Sequence, residues 1–139
     1  MKRGAIIAGL LCLALFAVTV YSFAGRGMFG DSDDFRPAAD LFYPTTEDID
    51  LSGRDVLQFK WEQKDIIQTD HYEFKLYKGY NMSDSTLVLK QNVSRGQYPF
   101  ELPAENFEIN QVYTWFVRQV YLDGSKNDWA HSSFKITKK

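Results

Sequence analysis

Cysteine is nearly absent from this chain: Cys12 is the single one in 139 residues. That excludes an intrachain disulfide scaffold and a cysteine-based zinc site. No charge of one sign dominates. Sixteen lysines and arginines stand against 18 aspartates and glutamates, whereas a nucleic-acid binder carries a basic excess. Histidine is scarce, with only His71 and His131. A serine hydrolase needs a base and an orienting carboxylate converging on the nucleophile, and no Gly-x-Ser-x-Gly elbow is present. Two histidines alone make a poor zinc site. No enzyme activity, cofactor or metal is therefore expected. What the chain does have is aromatic mass: 16% aromatic within 45% hydrophobic residues, enough to offset chain entropy by burial.

The first 24 residues read as a separate object. Lys2 and Arg3 are followed by Gly4 to Gly25, which carries no charge. This is the pattern of a secretory leader, and Ser22-Phe23-Ala24 supplies small residues for a cut after Ala24. Uncleaved, the same segment is a membrane anchor, since Gly4 to Ala24 is 21 residues and a span needs about 20. Lys2 and Arg3 would then stay cytoplasmic. A lipoprotein site at Cys12 is disfavoured by Leu11, where a small residue is normal, and by its place inside the apolar run. All of these readings export the remainder, to a periplasmic, cell-surface or secreted location. Cleavage after Ala24 would leave 14 basic against 18 acidic residues and no cysteine, so the exported part must hold together by its packed core.

Residues 25–40 (GRGMFGDSDDFRPAAD) read as an acidic, glycine-rich linker. Asp31, Asp33 and Asp34 do not fit an EF-hand loop, because Gly30 precedes the acids and the terminal glutamate is missing. Residues 41–139 form the domain and read as all-β. Short runs of β-branched and aromatic residues break about every 8–12 residues, the spacing of a sandwich or barrel. Asp55 to Glu62 puts Leu57, Phe59 and Trp61 on one face. Asp70 to Lys78 does so with Tyr72, Phe74 and Leu76. Leu41 to Pro44, continued by Ile49 to Leu51, starts the domain. Thr86 to Lys90, Gln97 to Leu102, Val112 to Leu122 and Ser132 to Thr137 complete seven strands. Pro99, lacking an N–H, places the Gln97 strand at an edge.

These strands resemble a fibronectin type III domain, or a close immunoglobulin-like relative. Leu57-Gln58-Phe59-Lys60-Trp61 looks like that family's second strand, ending on an inward tryptophan. Tyr72 to Tyr77 looks like its third. Phe107 and Tyr113, six positions apart, look like its tyrosine corner, in which the ring joins the core and the hydroxyl bonds nearby backbone. Phe107 stands where leucine is more usual, and Pro103 precedes the apolar residue rather than following it. The resemblance covers roughly residues 40–137. It implies a seven-stranded β-sandwich, here following the N-terminal apolar leader helix, with Phe107 and Tyr113 in the core beside Trp61 and Trp115, which fall at inward parity. It also implies a binding or spacer module without catalysis.

Function is then expected on the surface. Tyr77, Phe116, Arg118, Val120 and Trp129 fall at outward positions of the third, sixth and seventh strands. Together they form a candidate interaction face, since contiguous apolar patches mark contact surfaces. The competing reading is that lysine and arginine stems cover these rings, or that a bulge turns Trp129 inward. A protein partner or self-assembly is the expected use, in a cell-envelope or extracellular assembly. A glycan-binding or adhesion role through stacked aromatics is the alternative. A membrane is engaged only through the N-terminal segment, if that is uncleaved. Asp123 to Asp128 reads as turn chemistry more than as a recognition loop. Asn81-Met82-Ser83 and Asn92-Val93-Ser94 match the glycosylation sequon in expected loops.

Overall fold

The computed structural model describes residues 36–139. The leader or anchor at 1–24 and the linker as far as residue 35 lie outside the described residues. Eight strands follow: β1 (Leu41–Tyr43), β2 (Asp48–Asp50), β3 (Val56–Trp61), β4 (Thr69–Lys78), β5 (Leu87–Ser94), β6 (Phe100–Pro103), β7 (Val112–Tyr121) and β8 (Ala130–Lys138). They form a three-stranded sheet, β1-β3-β6, and a five-stranded sheet, β2-β8-β7-β4-β5. All pairs are antiparallel except β2 with β8. The fold is an all-β sandwich of two sheets. Among the described residues no helix is long and apolar enough to cross a membrane.

Alternation built the core as the sequence implied. Leu57, Phe59 and Trp61 of β3 are buried against Tyr72, Phe74 and Leu76 of β4 and Tyr113, Trp115 and Val117 of β7. Phe59 is the hub. Its ring centroid lies 4.9 Å from Phe74 and 5.1 Å from Trp115, both edge-on, and such pairs add about 0.5–1.5 kcal/mol beyond area burial. The tyrosine corner is also present. The Glu108 backbone N–H donates to the Tyr113 hydroxyl at 2.8 Å, and the Phe107 and Tyr113 rings meet at 5.1 Å.

Four details depart from the sequence reading. The opening strand is two strands, because the chain leaves the smaller sheet after Tyr43 and joins the larger one at Asp48. The Trp115 indole N–H donates to the Pro44 carbonyl at 2.8 Å within that crossover. β5 runs on to Ser94, so Asn92 lies in a strand opposite Glu73 and not in a loop; Asn81 lies in the β4–β5 loop. β6 begins only at Phe100, after a 3-10 turn over Arg95–Gln97, and it does form a sheet edge. Finally, the last residues assigned to the linker run along the domain. The Arg36 carbonyl accepts from Asp128 N–H and the Pro37 carbonyl from the Asn127 side chain. Ala38 packs on the core.

Candidate outer-face interaction site

The outer face of the larger sheet is organised by strand register. Lys75 of β4, Phe116 of β7 and His131 of β8 are cross-strand partners and form one row. Tyr77, Thr114 and Ser133 form a second row on one side of it. Glu73 and Arg118 pair on the other side, where Trp129 sits just before β8. Side chains two apart on a strand share a face, so all of these project from one surface.

The rows bring four of the five expected residues together. Tyr77 meets Phe116 edge-on with centroids 5.7 Å apart, and Phe116 meets Trp129 at 6.3 Å. His131 stacks on Phe116 at 5.1 Å. The Arg118 guanidinium lies 4.4 Å from the Trp129 ring centre, and the Lys75 ammonium 4.7 Å. Trp129 therefore points outward, not into a bulge, and cationic stems lie over its ring. Val120 does not belong to the face. It is buried, at 6% exposure, because the β7–β8 hairpin folds back and Lys126 bridges to it.

The charges are arranged around Glu73. Its carboxylate accepts from Arg118 Nε at 2.5 Å and from Lys126 Nζ at 2.9 Å. Partial burial works against the charged form, but the two cations outweigh it and hold the carboxyl below its ordinary range. Arg118 and Lys126 are thus engaged within the face. Lys75 is different: its polarisable contact is the Trp129 ring.

Between these side chains lies an open groove of about 210 Å³, lined by Lys75, Tyr77, Met82, Phe116 and Trp129. Met82 comes from the β4–β5 loop, which folds over the edge of the face. The sequence reading passed over it as the centre of a sequon; the signal was a connection long enough to fold back on the sheet.

The remaining candidates are dispersed. His71 is tied to its neighbour Asp70, Nδ1 to Oδ2 at 2.7 Å, and sits opposite Val120, whereas His131 sits opposite Phe116. Ser133 is bonded to Thr114, hydroxyl to hydroxyl at 2.7 Å. Among the described residues no three His, Cys, Asp or Glu side chains converge as metal ligands. The 123–128 connection is a locked turn. Asp123 Oδ1 accepts from the Ser125 N–H and hydroxyl, and Gly124 takes a left-handed φ of 83°. Trp61 and Phe107 lie in the core with Tyr113 and Trp115.

No family model and no curated protein matches the chain. Among solved structures it is similar to the fibronectin(III)-like modules of CbhA from Clostridium thermocellum. The identity is 12% over 72% of this chain and 96% of that chain, with a TM-score of 0.44.

Proposed function

We propose that the chain is an exported, non-catalytic protein–protein interaction module, a subunit or accessory component of a cell-envelope or extracellular assembly. Its contact surface is the outer face of the β4-β7-β8 strands. The observation that carries this reading is the groove between Tyr77, Phe116, Trp129, Lys75 and Met82. Its 210 Å³ falls below the roughly 300–1,000 Å³ of small-molecule pockets. It suits one large apolar side chain of a partner, inserted among aromatic walls as an anchor.

The glycan alternative needs a free aromatic face on which a sugar ring can lie. Arg118 and Lys75 already lie over Trp129, and His131 is stacked on Phe116. This favours the protein partner.

The test is native particle size. The protein is extracted gently from its own envelope and measured by size-exclusion chromatography with light scattering. A particle much larger than the 16.1 kDa chain is expected, and Phe116→Ser with Trp129→Ser should release the monomer. Both side chains lie outside the core cluster, so the sandwich is retained. A native monomer whose tryptophan emission responds to glycans would overturn the reading in favour of the alternative.

A further inference from the structure

A second apolar surface lies at the end of the sandwich that bears the β3–β4 and β7–β8 connections. Ile66 is 45% exposed, Ile67 80% and Leu122 61%. The two connections touch, since the Leu122 N–H donates to the Gln68 carbonyl at 2.8 Å. The three side chains therefore share one tip.

The tip is held in place from beneath. Asp65 takes a left-handed φ of 48° to turn the chain into the 3-10 segment Ile66–Gln68. Gln119, buried at 2% exposure, donates to the Lys64 carbonyl at 2.7 Å and to the Thr69 hydroxyl. The Asp65 carbonyl accepts from the Thr69 hydroxyl, and the Ile66 carbonyl from Arg95. The carbonyls of residues 64, 65, 66 and 68 are all occupied. A loop with most of its backbone carbonyls bonded internally loses less when water is removed from it. Lys64 and Arg95 are interspersed with Asp65, Asp70 and Asp123, so the tip offers no field of one sign.

The polypeptide enters the domain at this same end. Arg36 lies over the Tyr121 ring at 3.9 Å, and its carbonyl is bound by Asp128. In the sequence, 11 residues separate Arg36 from the uncharged stretch Gly4 to Ala24. Eleven residues, whatever their conformation, reach no further than about 40 Å. We propose that the Ile66/Ile67/Leu122 tip docks on a lipid bilayer, the one in which Gly4 to Ala24 is retained as an anchor. The short tether keeps the tip at high effective concentration near the surface, so three aliphatic side chains suffice without electrostatic attraction.

The test uses the full chain in phosphatidylcholine proteoliposomes. Cys12→Ser removes the native thiol, and Gln68→Cys carries an environment-sensitive dye beside the tip. Tyr80→Cys, at the other end of β4 and about 33 Å away for ten strand residues, carries it as the control. The expected result is blue-shifted emission at residue 68, quenched by brominated lipid and insensitive to salt, with water-like emission at residue 80. Ile67→Asp should lower the docked-to-free ratio about tenfold, and Ile67→Asp with Leu122→Asp should abolish docking. Both side chains are exposed, so an unchanged cooperative melt verifies the fold. Water-like emission at residue 68, equal signals at both ends, or a native protein whose intact mass begins at Gly25 would each overturn the proposal.

Discussion

The Trp115 indole donates its N–H to the Pro44 carbonyl, 71 positions back in the chain, at 2.8 Å and out of contact with water. Pro44 lies where the chain changes sheets, so a central ring of the core also holds the crossover. Trp115→Phe keeps most of the ring but strands that carbonyl. A buried polar group left unpaired costs about 1–3 kcal/mol, and the lost indole volume adds to it. A total of about 2–4 kcal/mol is expected by denaturant unfolding, with faster amide exchange at Glu47 and Lys135. A loss under 1 kcal/mol would mean the crossover is held by other contacts.

Tyr113→Phe isolates the tyrosine-corner hydroxyl. The ring keeps its place between Phe107 and Phe134, while Glu108 N–H loses its acceptor. About 1–2 kcal/mol should be lost, and the Glu108 amide should exchange faster than its neighbours. Unaltered exchange there would show that the ring alone makes the corner.

Glu73→Gln addresses the outer face. The folded-state carboxyl titrates below its ordinary value, because its two cations outweigh desolvation. Its contribution is therefore complete above the ordinary glutamate range, whose reference value is 4.5. It is lost as pH falls through the lower folded value. The variant should melt earlier than the parent at pH 7, by on the order of 1 kcal/mol, and the two should converge in stronger acid. A gap that persists at low pH would point to packing, not charge.

Asn127→Ala tests the base of the exposed tip. Asn127 Oδ1 accepts from the Gln119 backbone N–H at 2.6 Å, and its Nδ2 donates to the Pro37 carbonyl. Its removal should cost about 1–3 kcal/mol. It should also raise proteolytic cleavage around Arg36 to Asp40, which mass spectrometry of the fragments would detect.

The parts legible in the sequence are those governed by a period of two. β3 and β4 alternate without interruption, and every residue assigned inward there is buried. Phe107 and Tyr113 were legible because a fixed spacing encodes a fixed turn. β5 was cut short because Gln91 and Asn92 look like loop residues; an edge strand has few neighbours to exclude polar side chains. Gln119 gave no signal, since a glutamine at an inward position has meaning only once Lys64 and Thr69 are beside it. Val120 failed for a related reason. Its parity is outward, but the following hairpin covers it, and parity does not record what folds back over a strand. Tyr77, Phe116 and Trp129 lie on one outer face, as their parity implies, yet their relation to Lys75, Met82 and His131 depends on register across three strands.

The division of the opening strand has a mechanical consequence. β2 runs parallel to β8, so the first strand of the larger sheet and the last lie side by side and point the same way. Tension applied between the beginning of the domain and the end of β8 pulls these neighbours in opposite senses along their length. Their hydrogen bonds are then loaded together in shear, not opened one after another like a zip. Separation of the two ends therefore requires the β2–β8 pairing to give way as a unit.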